Sequence, residues 1–293
     1  MVMRMFMSLA AVILISSAAV ATSDHETAYL LPNSEVHTLS STELSRSYPV
    51  FIALPPGYDA EAATPYPVIL VNDGPYAFPI AAQSLAVPIN TGVMEPAILV
   101  AIGYSQGDGP MASRMRDYSP SADANFQAFE LGEARAYAQF IAEEVLPFIE
   151  TRFHADASRR TLVGHSAGAL FGSWVMLNKP DLFESYILIS PAFFWDNALM
   201  MREEARYAEH HQDLDTRVYF AVGSNERPPF SPFQWVEVQT AFVDQLGARG
   251  YPGLEMRSEI LDGALHETVF PQAFIRGAQW LLSPAQTAEM YSE

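Results

Sequence analysis

A predicted strand, a sharp turn and an apolar helix follow one another between residues 160 and 177. Residues 160–163 (RTLV) have the pattern of a short buried strand, and residues 169–177 (ALFGSWVML) continue as an apolar helix. Between them, residues 164–168 read GHSAG and match the pattern G-x-S-x-G. The two glycines allow a strained backbone elbow, and the helix N-terminus behind it favours negative charge. This context predicts that Ser166 presents its hydroxyl as a nucleophile.

Apolar strand-like runs alternate with helical patterns along the chain. The predicted strands are residues 47–54, 66–71, 97–102, 161–163, 185–189, 217–222 and 254–261, and the predicted helices are residues 126–150, 166–177, 197–211, 235–246 and 271–282. This alternation predicts an α/β protein with a mostly parallel central sheet and helices on both faces. No linker or repeat divides the 293 residues, so we expect residues 22–293 to form a single domain.

The first 21 residues have the pattern of a secretory signal. Arg4 precedes the apolar stretch 9–20, and residues 19–21 (AVA) offer small residues at the spacing of a cleavage site. We predict cleavage near Thr22 and a mature protein that is secreted or periplasmic. An uncleaved membrane anchor is the alternative.

Charge and cysteine content exclude several classes of function. The formal net charge is −18, and Lys179 is the single lysine, so the surface repels nucleic acid and anionic membranes. We therefore expect a small-molecule partner. The chain has no cysteine, which excludes disulfides, thiolate metal sites and a cysteine nucleophile.

A serine nucleophile needs a base, and the base needs a carboxylate to orient it. His266 is the best candidate base, because it follows the predicted strand 254–261 and precedes the last helix. Glu226, at the carboxyl end of the preceding strand, is the preferred acid. Asp196 competes for that role, and a Ser–His dyad without an acid is a further alternative. The chain order Ser, acid, His is that of α/β-hydrolases.

Acyl transfer also needs two donors for the developing oxyanion. The amide of Ala167, directly after the nucleophile, is the expected first donor. The loop 72–78 (NDGPYAF), which follows an early strand, is the expected source of the second.

Several motifs together resemble the putative esterase (esterase D-like) family, and within it the branch that contains siderophore trilactone esterases. They are residues 54–58 (LPPGY), 72–74 (NDG), 114–120 (RMRDYSP), 164–168 (GHSAG), 190–196 (SPAFFWD) and 263–266 (GALH). The resemblance implies an α/β-hydrolase fold without metal or organic cofactor. It also implies that Ser166 and His266 are the catalytic pair and that Glu226 is the acid.

One position departs from the family pattern. The residue after Asp-Gly, whose amide serves the oxyanion hole in related enzymes, is Pro75, which has no N–H. Either Gly74 or Tyr76 supplies the donor, or the hole is incomplete, and we favour Tyr76.

Several side chains are candidates for substrate contact. Arg114 and Arg116 are candidates for binding an anionic or catecholate group, with pairing to acidic neighbours such as Asp117 as the alternative. Trp195 and Phe78 are candidates for an aromatic or acyl pocket, to which Phe194 and Tyr76 are further candidate contributors. The resulting prediction is a serine carboxylesterase, with a siderophore trilactone esterase, an acyltransferase and a non-catalytic binding protein of the same fold as alternatives.

Overall fold

A single eight-stranded sheet lies at the centre of residues 30–284, the part of the chain that the computed structural model describes. The strands are β1 (Ser34–Ser41), β2 (Arg46–Ala53), β3 (Tyr66–Val71), β4 (Ile98–Ile102), β5 (Ala155–His165), β6 (Ser185–Ile189), β7 (Thr216–Gly223) and β8 (Leu254–Leu261). Their order is β1-β2-β4-β3-β5-β6-β7-β8. β2 is antiparallel to β1 and β4, and the remaining pairs are parallel.

Helices cover both faces of this sheet. They are α1 (Gly74–Asn90), α2 (Pro110–Tyr118), α3 (Ala134–Phe140), α4 (Leu146–Arg152), α5 (Ala167–Asn178), α6 (Trp195–His210), α7 (Trp235–Ala248) and α8 (Val269–Leu282). A short 3₁₀ turn (Ala124–Phe126) precedes α3, and a π-helical turn (Ile141–Val145) joins α3 to α4. The predicted α/β-hydrolase fold is confirmed.

The alternation of side chains along β3 shows why the central strands are apolar throughout. Val68 and Leu70 enter the core shared with α5, whereas Ile69 and Val71 enter the core shared with α1 and α8. All four are at most 1% exposed. Because both faces are covered by helices, every residue of such a strand is buried.

The predicted elements agree with the structure except at six places. The predicted strand 161–163 lies within a longer strand, β5, which begins at Ala155. The predicted helix 126–150 is divided into a 3₁₀ turn, α3, the π-helical turn and α4. The strand β1 and the helices α1 and α2 were not predicted. In α6, Asp196, Asn197 and Ala198 have φ of 44°, 52° and 59°, so the right-handed helix is regular only after Ala198.

The predicted signal, residues 1–21, lies outside the described residues and stays a prediction. Between residues 30 and 284, none of the helices has the length and apolar character needed to cross a membrane.

Candidate active site

Ser166 lies at the sharp turn between β5 and α5. Its backbone has φ 60° and ψ −119°, and its N–H donates to the Ile189 carbonyl at 2.9 Å. A Cβ at Gly164 would collide with the Gly168 backbone and lie 2.6 Å from the Ala169 nitrogen. The strand and the helix therefore approach too closely for a side chain at Gly164, and the strained turn raises Ser166 above the carboxyl end of the sheet.

Glu226 and His266 come from the loops that follow β7 and β8. The Nδ1 atom of His266 lies 2.6 Å from Oε2 of Glu226. β7 and β8 pair in parallel from Thr216–Leu254 to Gly223–Leu261, so their carboxyl ends meet at one edge of the sheet. This pairing brings together two residues that are 40 positions apart in the chain.

The Glu226 carboxylate is fully buried, and its second oxygen, Oε1, also accepts hydrogen bonds. Oε1 accepts a hydrogen bond from Ser190 Oγ at 2.7 Å and another from the Gly223 N–H at 2.6 Å. These donors satisfy the hydrogen-bonding capacity of a carboxylate that is closed off from solvent, and they fix its orientation toward His266. Sequence reasoning missed Ser190, although its position directly after β6 was a usable signal.

Asp196, the competing acid, lies elsewhere. Its carboxylate accepts from Ser121 Oγ at 2.9 Å and pairs with Arg202 at 3.4 Å. Its backbone N–H donates to the Asp123 carboxylate at 2.6 Å. Within the described residues, Asp196 makes no hydrogen bond to His266, so the geometry favours Glu226 as the partner of the imidazole.

Two rings pack against the imidazole of His266. The Trp235 ring stacks on it with 4.1 Å between centroids and 29° between planes, and the His165 ring lies 4.6 Å away. Burial, followed by the nearby His266 and Arg114, holds the pKa of His165 well below its ordinary value. His165 is therefore neutral beside the candidate base.

Ser166 and His266 line the same cavity. In the described part of the chain Ser166 Oγ forms no hydrogen bond. The hydrogen bond between a nucleophile and its base is often long in the absence of substrate and shortens when substrate binds.

The oxyanion donors differ in part from the prediction. Ala167 is the first residue of α5 and lines the cavity. The Tyr76 N–H, however, donates to the Asp73 carbonyl at 3.0 Å in the first turn of α1. The prediction for Tyr76 is therefore corrected, because an N–H that is hydrogen-bonded within the helix is not available to an oxyanion. The Gly74 N–H, one residue before Pro75, has no backbone or side-chain acceptor among residues 30–284.

Arg114 faces the cavity but is already paired. Its Nε and one terminal nitrogen donate to the two oxygens of Asp73 at 2.9 and 3.0 Å. The Arg114 side chain is 15% exposed and that of Asp73 is 4% exposed. Arg114 also donates to the His165 carbonyl at 3.4 Å, so it links Asp73, the residue before Gly74, to the backbone next to Ser166.

Arg116 points away from the cavity. Its guanidinium pairs with Asp117 at 2.9 Å and Asp108 at 2.8 Å, and it donates to Ser105 Oγ at 2.9 Å. It is 4% exposed. The prediction that Arg116 contacts substrate is wrong, because its charge is paired with carboxylates. Its contact with Asp108 links α2 to the loop after β4.

The cavity above Ser166 has a volume of about 330 Å³ and is lined by six Phe and Trp side chains, together with aliphatic and polar ones. Trp195 lines it, as predicted, and stacks on Phe126 with 4.9 Å between ring centroids. Phe78 does not line it; its ring packs 5.5 Å from Phe51 in the core under α1, which corrects that prediction.

Sequence reasoning also missed four aromatic residues that line the cavity, Phe126, Phe230, Phe233 and Trp235. The signal for the last three was the dense aromatic stretch just after the candidate acid. The described residues contain no cluster of three or more His, Asp or Glu side chains suited to a metal ion.

Comparison with known proteins agrees with this arrangement. The ferri-bacillibactin esterase BesA of Bacillus subtilis is 27% identical over 269 residues, which cover 88% of this chain and 92% of that protein. A siderophore triacetylfusarinine C esterase of Aspergillus fumigatus is 25% identical over 83% of this chain and 82% of its own length.

Among solved structures, the BES protein from Bacillus cereus superposes with a TM-score of 0.79 at 25% identity, over 90% of this chain and 100% of that one. The profile of the family described as "Putative esterase" matches residues 41–280. Because that match spans most of the chain, and the nucleophile elbow and the His–carboxylate pair both lie within it, the chain belongs to the putative esterase family.

Proposed function

We propose that Ser166, His266 and Glu226 form the catalytic triad through which this serine ester hydrolase cleaves carboxylic esters. The observation that carries the proposal is the 2.6 Å contact between His266 Nδ1 and Glu226 Oε2, beside the elbow that presents Ser166. The buried carboxylate fixes the imidazole tautomer, so that Nε2 remains free to accept the serine proton.

The first half-reaction forms an acyl-enzyme. Ser166 Oγ attacks the ester carbonyl carbon while its proton passes to His266 Nε2. The tetrahedral intermediate then collapses, the carbon–oxygen bond to the alcohol breaks, and the leaving oxygen takes the proton from His266. Glu226 stabilises the imidazolium that exists between these two transfers.

The second half-reaction returns the enzyme to its starting state. A water molecule attacks the acyl carbon and gives a proton to His266, and the second collapse releases the acid and restores the Ser166 hydroxyl. In both halves the oxyanion receives hydrogen bonds from the Ala167 N–H and, we propose, from the Gly74 N–H. Each lies at a helix N-terminus, where an anion is favoured.

Siderophore trilactones are a second candidate class of substrate. Two of the relatives named above are named as a ferri-bacillibactin esterase and a siderophore triacetylfusarinine C esterase, and each matches more than four fifths of this chain. Arg114 is the residue at the cavity that can approach an anionic group, although it is paired with Asp73. We also propose that residues 1–21 direct the protein to a secreted or periplasmic location.

The test is hydrolysis of simple carboxylic esters by the wild type and by Ser166→Ala. We expect the substitution to lower kcat by about 10³-fold or more and to abolish labelling by a fluorophosphonate. Ser173→Ala is the matched control, because it removes a buried hydroxyl from the same helix, and among residues 30–284 that hydroxyl bonds to the Ala169 carbonyl alone. Retained hydrolysis in Ser166→Ala, with labelling at another residue, would contradict the proposal.

A further inference from the structure

The cavity beside Ser166 is built for one chemical class of ester. We infer that it accepts esters whose group inside the cavity is a flat, uncharged aryl ring and that it discriminates against anionic esters of the same size. The inference rests on the proposed function, because it concerns the selectivity of the same site.

The first observation is a continuous aromatic wall. It begins at Trp235, which stacks on the His266 imidazole at 4.1 Å. Phe194 meets Trp235 edge-on at 4.9 Å, and Phe233 lies parallel to Phe194 at 4.4 Å with 5° between the planes. The wall is therefore a chain of contacting aromatic rings that extends from the catalytic imidazole to Phe233, and an aromatic group in the cavity can pack against these rings.

Hydrogen bonds from the two tryptophans hold the rings of the cavity in place. Trp235 Nε1 donates to Ser231 Oγ at 3.2 Å, and the Trp235 N–H donates to the Glu226 carbonyl at 3.1 Å. The opposite side is formed by Trp195, whose Nε1 donates to the Ser121 carbonyl at 3.3 Å. Because these rings are held before substrate arrives, little ordering is needed on binding.

The second observation is the charge around the cavity. Of the described residues that line it, the formally charged ones are Arg114 and Glu267. Arg114 forms a bidentate pair with Asp73, so its charge is already compensated. Glu267 is exposed at the rim directly after His266. An anionic group would therefore lose hydration and meet a carboxylate without gaining an unpaired cation.

The third observation is size. A cavity of about 330 Å³ lies at the lower end of small-molecule sites, enough for one substituted ring and its ester group. The volume of the cavity, its aromatic wall and the charges around it therefore all favour a neutral aryl ester.

The experiment compares two reversible serine ligands of equal size, 4-carbamoylphenylboronic acid and 4-carboxyphenylboronic acid. Each is titrated for protection of Ser166 against a fluorophosphonate. We expect the neutral amide to protect at a concentration at least tenfold lower than the carboxylate. Phenylboronic acid should also protect at a lower concentration than cyclohexylboronic acid. In Phe233→Leu the protecting concentrations of these two ligands should lie closer together.

Two charge-reversal variants show whether the rim causes the discrimination. Glu267→Lys should bring the two boronic acids within about threefold of each other. Glu61→Lys is the matched control with the same change in net charge, because Glu61 is exposed and precedes the amino end of β3, opposite the site. It should leave the ratio unchanged.

The possible results separate the two proposals. Equal or better protection by the carboxylate would overturn the inference, while the labelling itself would still support Ser166 as the nucleophile. Preference for the cyclohexyl over the phenyl ligand would likewise overturn it. Failure of the wild type to be labelled at all would contradict the proposed function, and the inference would fall with it.

Discussion

His165 and Ser190 show how single residues support the site without taking part in the reaction. Ser190 donates to the buried Glu226 carboxylate at 2.7 Å, on the oxygen that His266 leaves free. His165 packs 4.6 Å from the His266 ring, and its Nε2 is enclosed without a hydrogen-bond partner among the described residues. Burial, followed by repulsion from His266 and Arg114, lowers its pKa well below the ordinary value, while a hydrogen bond to the His266 backbone acts in the opposite direction.

This lowered pKa of His165 predicts a pH-dependent loss of stability. The folded protein holds His165 neutral, whereas the unfolded chain binds a proton below a pH of about 6.5. The stabilisation is therefore complete above pH 6.5 and is lost as the pH falls toward the pKa of the folded state. We expect the free energy of unfolding to decrease by about 1.4 kcal/mol more per pH unit in the wild type than in His165→Gln below pH 6.5.

Denaturant unfolding of both proteins between pH 4.5 and 8 measures this difference. The variant loses packing, so its curve should lie lower at pH 8 and converge on that of the wild type in acid. Parallel curves across the whole range would show that the pKa of His165 is the same in the folded and unfolded states and would contradict the prediction.

Among the elements, α1 was the hardest to predict from the sequence. Prolines 75, 79 and 88 indicate a loop, yet all three lie within Gly74–Asn90. Pro75 fits the first turn, where its missing N–H is not needed, and packing of Ala77, Phe78 and Leu85 against the sheet stabilises the rest. Tertiary burial here outweighs local propensity, and the same helix start explains why the Tyr76 amide is not free.

The other discrepancies have similar physical causes. β1 lies at the sheet edge, where it pairs only with β2 among the described strands, and its two apolar residues, Val36 and Leu39, are three positions apart, so the sequence shows no strand alternation. The helical pattern 126–150 is real only from Ala134 onward, and the π-helical turn inside it inserts extra backbone without interrupting the apolar periodicity. By contrast, the buried parallel strands β3, β4 and β6 are nearly continuous apolar runs and were predicted to within one residue.

The start of α1 gives a prediction about the oxyanion hole. If the Gly74 N–H is the second donor, restoring an N–H at position 75 adds nothing to catalysis. We therefore expect Pro75→Ala to change kcat on a simple ester by less than about threefold, and to destabilise the fold by about 0.5–1 kcal/mol because the unfolded chain gains freedom.

Steady-state kinetics and thermal unfolding of Pro75→Ala measure both effects. The matched variant is Pro79→Ala, one turn further along α1, which should alter stability without touching the hole. A rise in kcat of tenfold or more in Pro75→Ala alone would show that the wild-type hole lacks a donor and would refute the role of Gly74.

At the scale of the whole molecule, the site was predictable because the fold orders its parts. Ser166, Ser190, Glu226 and His266 each follow one of four adjacent parallel strands, β5 to β8, at their carboxyl ends. The sequence order of strands and candidate residues is enough to place three of these four together. The aromatic walls and the pairing of Arg114 with Asp73 depend on loop conformations that local patterns do not encode.

The net charge acts on the same site from a distance. A formal charge of −18, with Glu267 at the rim, creates a negative potential that lowers the local concentration of anionic esters. Salt screens this field, because the Debye length falls from about 30 Å at 0.01 M to below 10 Å above 0.1 M.

We therefore expect kcat/KM for methyl 4-carboxybenzoate to rise about threefold or more between 10 and 500 mM NaCl. The value for the neutral methyl 4-carbamoylbenzoate should stay constant over this range. The two esters differ in charge and hardly in size, so their ratio isolates the electrostatic effect from any influence of salt on the fold. A decrease in kcat/KM for the anionic ester with added salt would mean that an unpaired cation attracts it, and Arg114 would then have to separate from Asp73 during binding.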